Sequence, residues 1–423
     1  MTGEATAAAA PDPAVRRRVE ALWRIEGPRI VAALARVTRD FGLAEDLAQE
    51  AVADALTQWP EAGVPRNPGA WLTAVAKRKA IDSWRRAELL DQKYRTMAQG
   101  LADEDGVAWE PVEDDVLRLV FTACHPVLSR EAQMALTLRV VGGLTAEEIA
   151  RLFLVPVATV QQRIVRAKKS LAAARVPFEV PEPNEWGDRL GAVLGVVYLM
   201  FSEGYSATSG DRWIRPDLAN EALRIGRILA GLVPREPEAH ALLALMEFQA
   251  SRFAARTKPD GTPILLADQN RTRWDWGQIR RGRTALARAD VLAEALGRGR
   301  RSYALQAAIA ECHALAPSVD ETDWQRIVLL YEVLGRVAPS PVAELNRAVA
   351  VSMATGPAAA LAIVDRLVSE GALRGGHLLP SVRAELLAQL GRTKEARAEF
   401  TTAAGLARNS RTRAVLEARA AEL

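Results

Sequence analysis

The chain has 423 residues, of which 49% are hydrophobic and 25% charged, with two cysteines. This composition excludes collagen-like, disordered and disulfide-stapled chains, and the length predicts more than one domain. The formal net charge of +3 does not identify a nucleic-acid-binding protein, so the position of the charges has to decide. Apolar residues recur mainly at helical spacing, which predicts an all-α protein.

Membrane and secretion signals are missing from the sequence pattern. No apolar run approaches the roughly 20 residues of a membrane span, and the alanine-rich start lacks a basic stretch followed by a long apolar one. We therefore expect a soluble, cytoplasmic protein with no membrane partner.

The first predicted domain covers residues 14–92 and contains an acidic helix followed by a basic one. Residues 44–52 present acidic and amide side chains, which is typical of a solvated helix face. After a Pro- and Gly-containing loop, a helix beginning at Ala70 is basic in its second half. It carries Trp71 and Trp84, which we interpret as core residues rather than platforms for base stacking.

Three side chains of the basic helix share one face. Arg78, Asp82 and Arg85 follow one another at spacings of four and three residues, which are neighbouring positions on a helix. Basic side chains neutralise phosphates, and a pocket beside them can hold an unstacked base. This face is therefore a candidate for binding an opened DNA strand.

The order of these segments, "AEDLAQEA", a variable loop and "PGAWLTAVAKRKAIDSWRR", resembles region 2 of bacterial sigma factors. The resemblance implies that the first helix docks on the clamp helices of the largest subunit of core RNA polymerase. It places that contact at Asp46, Leu47, Gln49 and Glu50. It also implies recognition and melting of the minus-10 promoter element by Asn67, Lys77, Arg78, Asp82 and Arg85.

Residues 93–115 are predicted to be an acidic linker, because they carry many Asp and Glu side chains together with Gly106 and Pro111. A flexible connection is one interpretation. By resemblance, a path through the polymerase channel, where the negative charge imitates nucleic acid, is the other.

The second predicted domain, residues 116–177, has the pattern of a helix-turn-helix. A helical stretch over residues 116–141 is interrupted at His125-Pro126. Thr145 and Glu148 then form a capping box at the start of a helix. After a short turn, a second helix over residues 157–174 carries only basic charges. The first part of such a helix enters the major groove, and later basic residues meet phosphates.

Within that helix, Gln161, Gln162 and Arg163 are the candidates for reading bases, and Arg166 and Lys169 are the candidates for binding phosphates. The segment "LTAEEIARLFLVPVATVQQRIVRAKKSL" resembles sigma region 4, which reads the minus-35 element. That resemblance adds Thr159 to the DNA-binding set. Region 2, an acidic linker and region 4 in one chain resemble the extracytoplasmic-function (ECF) group of sigma factors.

The pairs Cys124-His125 and Cys312-His313 contain zinc-binding residue types, but adjacent ligands are an uncommon arrangement. We predict no metal site and no cofactor.

The remainder divides into a helical extension, residues 184–286, and repeats similar to tetratricopeptide repeats (TPR), residues 287–423. Gly391 precedes a helix with TPR-like spacing, and Gly356 precedes a similar helix about one 34-residue period earlier. Stacked repeats leave a concave face for a protein or peptide partner. The segment "FTACHPVLSREAQMALTLRVVGGLT" likewise resembles the sigma-factor subgroup with a TPR-like extension.

One segment of the extension, residues 257–276, does not fit a repeat. It combines a turn at Asp260-Gly261 with a polar and tryptophan-rich cluster, and this cluster is a candidate regulatory contact. Its members are Asp268, Gln269, Arg271, Arg273, Trp274 and Asp275. Docking within the chain and binding of a partner both remain open.

The sequence thus predicts a sigma factor that binds core RNA polymerase and promoter DNA, opens the DNA and starts transcription. It lacks the phosphate loop, the HExxH and the GxSxG motifs of common enzyme classes, so no enzymatic activity is predicted. The alternative is a helix-turn-helix and TPR regulator that does not join polymerase. Whether the extension inhibits or supports activity stays open at this point.

Overall fold

The computed structural model describes residues 13–88, 113–153, 155–181, 184–206 and 213–423. The predicted all-α class is confirmed, because in these ranges the chain forms α-helices and short 3-10 turns, with one isolated bridge between Thr257 and Pro263. The chain divides into two compact units, residues 1–196 and 197–423.

The boundary between the units differs from the predicted one. We expected it in the proline-punctuated segment before residue 184, but it falls inside the helix Trp186–Tyr205. The reason lies in the first turns of that helix. The Trp186 ring lies 5.2 Å from the Phe121 ring, and an Arg189 Nη2 donor bonds the Phe121 carbonyl at 3.2 Å, so these turns belong to the first unit.

The helices of the first unit follow one another as α1 Pro13–Thr38, α2 Phe41–Ala62, α3 Pro68–Glu88, α4 Glu113–Ala123, α5 Arg130–Val140, α6 Ala146–Phe153, α7 Val157–Ala173 and the first half of α8 Trp186–Tyr205. Helices α1, α2 and α3 pack on one another around the buried side chains of Leu34, Trp59 and Leu72. The start of α2 is fixed by Asp40, whose carboxylate accepts the Leu43 N–H at 3.0 Å.

Helix α4 begins earlier than the sequence suggested. Residues 113–115 were assigned to the acidic linker, but α4 starts at Glu113, and the Asp115 side chain is completely buried. Asp115 contacts the guanidinium groups of Arg118 at 2.8 Å and Arg36 at 3.4 Å. Because a buried carboxylate requires cationic partners, this residue joins α4 to α1 rather than extending the linker. Residues 93–112 lie outside the described part of the chain.

The predicted interruption at His125-Pro126 is confirmed. Helix α4 ends at Ala123, and α5 begins at Arg130, where the Ser129 hydroxyl accepts the Ala132 N–H at 3.3 Å. The chain therefore turns between two helices, as the proline indicated.

The second unit begins with the second half of α8 and continues with α9 Pro216–Leu232, α10 Pro237–Ala250, α11 Trp276–Ala295, α12 Ser302–Leu315, α13 Trp324–Val337, α14 Pro341–Thr355, α15 Pro357–Ser369, α16 Leu378–Gln389, α17 Thr393–Leu406 and α18 Ser410–Glu422. Helices α10, α11 and α12 enclose a core around Phe248, Ile279 and Leu286. The predicted boundary after residue 286 falls inside α11, because this helix continues to Ala295.

From α13 onward, each helix packs on the next along the chain. Gly356 between α14 and α15 has φ 105°, and Gly391 between α16 and α17 has φ 75°. Left-handed φ values are accessible to glycine at little cost, which explains glycine at these helix ends. Helices α15 and α17 thus each follow a glycine in this conformation, and TPR-like repeats stay a prediction.

Candidate nucleic-acid interface

The predicted capping box at the start of the helix-turn-helix is present. The Thr145 hydroxyl accepts the Glu148 N–H at 3.2 Å, and the Glu148 carboxylate accepts the Thr145 N–H at 2.8 Å. These two bonds satisfy backbone donors that would otherwise have no partner at the beginning of α6.

Helix α7 has one buried face and one exposed face. Val160, Ile164, Ala167 and Leu171 are buried and attach the helix to the first unit. The opposite face carries the residues that were predicted to contact the minus-35 element. Among these, Gln161, Gln162, Arg166 and Lys169 are exposed, and Thr159 and Arg163 are half-buried.

The exposed basic groups of α7 are not neutralised by the protein. Within the described residues, neither Arg166 nor Lys169 forms an ion pair with a carboxylate. Two cations on a solvent-facing ridge, next to two glutamines, can bind phosphates and donate hydrogen bonds to base edges.

Helix α3 carries the second predicted DNA-binding face. Arg78 and Asp82 are exposed, Lys77 is half-buried, and Arg85 follows on the same helix. Asn67 has a structural role as well, because its side-chain oxygen accepts the Ala70 N–H at 3.1 Å and caps α3.

The two tryptophans of α3 were interpreted as core residues. Trp71 is half-buried, and its ring meets the buried Trp59 ring edge-on at 5.3 Å, so part of the Trp71 side chain packs against the core. The side chain of Trp84 lies outside the described part of the chain.

The predicted polymerase-binding residues of α2 differ in exposure. Asp46 and Glu50 are exposed, Gln49 is half-buried, and Leu47 is buried, with 4% of its surface accessible. Of these four side chains, only the carboxylates of Asp46 and Glu50 are therefore fully accessible to a partner protein.

Both of those carboxylates contact a lysine. Lys79 of α3 lies 3.4 Å from Glu50 and 3.0 Å from Asp54. The hydrogen bond to Asp54 is the main cause of the raised pKa of Lys79. Lys79 therefore holds α3 against α2 and is not available to DNA in this arrangement.

The contact of Asp46 comes from the helix-turn-helix. Lys168 of α7 forms ion pairs with Glu45 and, at 2.6 Å, with Asp46. Arg139 of α5 bonds the same Glu45 carboxylate at 2.9 Å, and Glu45 is buried. Burial acts to lower the pKa of Lys168, but the two carboxylates outweigh it and raise the pKa. Lys168 is therefore charged and faces α2, while Arg166 and Lys169 face solvent.

Sequence reasoning missed Glu45, Arg139 and Lys168 as a set. The only local signal was the acidic pair Glu45-Asp46 in the first turns of α2. Its partners lie 94 and 122 residues further along the chain, and no short-range pattern links them.

Neither cysteine–histidine pair forms a recognisable metal centre. Among the described residues, no group of three or more His, Cys, Asp or Glu side chains is placed to hold a metal ion. The Cys124 thiol is buried 3.3 Å from the Thr137 hydroxyl, and burial raises its pKa to about 11. No helix in the described part of the chain is long and apolar enough to cross a membrane.

The polar and tryptophan-rich cluster of the second unit is only partly at the surface. Asp268 and Arg273 are exposed, whereas Gln269 and Trp274 are buried. Asp275 caps α11 by accepting the Gln278 N–H at 2.9 Å.

Arg271 joins this cluster to the end of α12. Its Nη1 donates to the carbonyls of His313 at 2.7 Å and Ala316 at 2.9 Å. The segment is therefore packed inside the second unit, as the docking alternative expected, and its exposed residues leave partner binding open.

Three family models match the chain. Sigma-70 region 2 matches residues 22–89, Sigma-70 region 4 matches residues 118–171, and a family of unknown function, DUF6596, matches residues 189–290. An "uncharacterized protein" of Rhizobium meliloti (strain 1021) is 43% identical over 397 residues, which cover 90% of each chain. No solved structure matches significantly.

Proposed function

The chain belongs to the sigma-70 family, and from that premise we propose that it acts as an ECF-type sigma factor with a C-terminal regulatory extension. In this proposal it binds core RNA polymerase, recognises the minus-35 and minus-10 elements, and opens the promoter DNA. The observation that carries the proposal is the exposed basic face of α7 inside the range that matches region 4, together with the exposed Arg78 of α3 inside the range that matches region 2.

Helix α7 would bind the minus-35 duplex. Gln161, Gln162 and Arg163 lie on its N-terminal half, where a recognition helix meets base edges. Arg166 and Lys169 lie one to two turns further on and are exposed, which suits contacts with phosphates.

Helix α3 would bind the minus-10 element after it opens. Arg78 and Asp82 are exposed on one face, and the side chain of Arg85 lies outside the described part of the chain. Unpairing and unstacking bases costs a few kcal/mol per step, so contacts with the released strand must offset this cost. Trp71 packs in the core and is not proposed as a stacking platform.

Helix α2 would supply the contact with the polymerase clamp helices, through Asp46, Glu50 and the partly covered Gln49. Asp46 is held by Lys168 of α7. The minus-10 and minus-35 elements are separate stretches of the duplex, and regions 2 and 4 would bind one each. Helices α2 and α7 would therefore separate when both elements are bound.

Within the second unit, the helix pairs from α13 onward support a TPR-like array that binds a protein or peptide. The unit would act on the first one as an inhibitor or as an activator. A cytoplasmic location follows from the proposed partners, which are core polymerase and promoter DNA.

The alternative is a DNA-binding regulator that does not join polymerase. The match of residues 22–89 to region 2 favours the sigma factor, because a helix-turn-helix regulator has no need of this segment.

Run-off transcription with purified core polymerase tests the proposal. The template is a promoter selected from a random library by the full chain, and the comparison is a truncated chain that ends at residue 196. Initiation at a defined site that needs both the chain and core polymerase supports a sigma factor. DNA binding without initiation, by either form, favours the regulator. The ratio of initiation by the full and truncated chains shows whether the extension inhibits or supports transcription initiation.

A further inference from the structure

The second unit contains a chamber of about 490 Å³ between α8, α10 and α12, bordered by the first residues of α14 and α16. This volume lies within the range of small-molecule sites, which are about 300–1,000 Å³. Its lining combines apolar side chains, among them Leu199, Ile309 and Val342, with the polar side chains of Tyr205, Gln249 and His313. The chamber is therefore amphipathic.

A guanidinium group lies behind two polar side chains of the lining. Arg252 donates from Nη2 to the Tyr205 hydroxyl and, at 2.9 Å, to Gln249 Oε1. Both acceptors line the chamber. An arginine has five N–H donors, and the others of Arg252 have no hydrogen-bond partner within the described residues.

Two more arginines stand beside it and stack on aromatic rings. The guanidinium carbon of Arg256 lies 3.6 Å from the centre of the Tyr205 ring, and that of Arg271 lies 4.5 Å from the Trp274 ring. Arg256 is only 5% exposed, and this burial lowers its pKa to about 10. The second unit thus holds three guanidinium groups around the Tyr205 and Trp274 rings, of which Arg256 is buried and Arg252 and Arg271 are half-buried.

These charges have no anionic partner in the described part of the chain. No carboxylate lies within salt-bridge distance of Arg252, Arg256 or Arg271 there. Cation–π contacts and backbone carbonyls compensate only part of the cost of burying a cation. The positive charge of the three guanidinium groups is therefore not balanced by a carboxylate in the described part of the chain.

Three buried polar atoms of this region also have no hydrogen-bond partner within the described residues. They are Nδ1 of His313, a residue of the chamber lining, Nη2 of Arg271 and Nε1 of Trp274. Burial, followed by the charges of Arg252 and Arg271, lowers the pKa of His313 to about 4. An anion in the chamber would contact the neutral His313 ring, with the Arg252 guanidinium behind Tyr205 and Gln249.

The one carboxylate of the chamber wall does not fill this role. Glu203 forms an ion pair with Arg215, which is itself buried. The charge of Glu203 is therefore already balanced by Arg215, and Glu203 does not neutralise the arginine cluster.

We propose that this chamber binds a small amphipathic carboxylic acid. The carboxylate would lie at the Tyr205 and His313 end, where it would accept the Tyr205 O–H and be attracted by the Arg252 guanidinium behind that hydroxyl. The apolar body would lie against Leu199, Ile309 and Val342. The inference does not depend on the proposed function, because ligand binding is measured without polymerase or DNA.

Isothermal titration calorimetry of the full chain with octanoate tests the proposal. Octylamine and 1-octanol have the same apolar body with a cationic and a neutral head, and 3-phenylpropionate is a second acid. We expect the acids to bind at least ten-fold more tightly than 1-octanol and octylamine not to bind. Equal affinity for octanoate and 1-octanol, or binding of neither acid, overturns the proposal.

Three variants locate the site. R252Q removes the charge while keeping an amide, and it should weaken octanoate binding at least ten-fold. R288Q removes an exposed arginine of α11 that does not line the chamber, and it should leave binding unchanged. V342W fills the chamber from an exposed apolar position of its lining and should abolish binding even if R252Q is poorly folded. Octanoate affinity that neither R252Q nor V342W changes places the acid elsewhere and overturns the proposal.

Discussion

The Lys168 ammonium lies 2.6 Å from the Asp46 carboxylate, although the two residues are 122 positions apart in the sequence. Lys168 belongs to the proposed recognition helix, and Asp46 belongs to the proposed polymerase-binding helix. The contact is reinforced by Glu45, which also receives a bond from Arg139. A single lysine thus links the elements that we propose for DNA and polymerase binding.

We expect K168Q to bind core polymerase more tightly than the wild type. Loss of this partly buried ion pair should favour the separated arrangement by about 1 kcal/mol, which is about five-fold in affinity. Fluorescence anisotropy of a labelled chain titrated with core polymerase measures this affinity.

The matched control is K169Q, one position further along α7. Lys169 faces solvent and forms no ion pair in the described part of the chain, so K169Q should bind polymerase like the wild type. Weaker or unchanged polymerase binding by K168Q would show that Lys168 does not restrain Asp46.

The exposed face of α7 predicts two kinds of DNA-binding defect. R166A should weaken binding to all sequences alike and lower the slope of log K against log salt by about 0.9, the contribution of one phosphate contact. Q162A should instead cost about 1–3 kcal/mol on the preferred site and relax the preference at one base pair. Electrophoretic mobility shifts at several salt concentrations, on preferred and scrambled duplexes, separate the two effects.

R288Q serves as the control for both variants, because Arg288 lies in the second unit. A salt slope that R166A leaves unchanged would remove Arg166 from the phosphate contacts. A Q162A defect that is equal on preferred and scrambled DNA would remove Gln162 from base reading.

The capping box predicts a local change in stability. T145A removes the hydroxyl that accepts the Glu148 N–H and should cost about 1 kcal/mol, whereas T145S keeps the hydroxyl and should cost little. Hydrogen exchange of the α6 amides, followed by mass spectrometry, reports this local effect in the full chain. Equal exchange in T145A and T145S would mean that the hydroxyl contributes nothing to helix stability.

The sequence predicted the features that depend on neighbouring residues. The Thr145–Glu148 box and the break at His125-Pro126 each follow from a pattern shorter than one helix. The all-α class follows from the helical spacing of apolar residues repeated along the chain.

The features that the sequence did not predict depend on long-range packing. The sequence predicts Asp115 as a linker residue, whereas in the structure it contacts Arg36 of α1. The sequence predicts Leu47 as a contact for polymerase, whereas in the structure its side chain is buried. Arg256 reads as a surface charge, and only the fold places it against Tyr205. No local pattern determines which distant element covers a given side chain.

The buried His313 predicts that the second unit loses stability in mild acid. Its pKa is about 4 in the folded protein, because burial and then Arg252 and Arg271 disfavour the cation, and its ordinary value is 6.5. Since the folded pKa is the lower one, the stabilisation is complete above pH 6.5 and is lost as the pH falls toward 4. The loss is on the order of 3 kcal/mol at about 1.4 kcal/mol per pKa unit.

The variant H313Q tests this dependence, because glutamine keeps a polar side chain and does not titrate. The difference in unfolding free energy between the wild type and H313Q should shrink by about that amount from pH 7 to pH 4, as measured by urea denaturation. A difference that stays constant over this range would mean that His313 takes up its proton equally well in the folded and unfolded chain. In that case the arginine cluster would not lower the pKa of His313, because an anion would already neutralise the charge of the cluster.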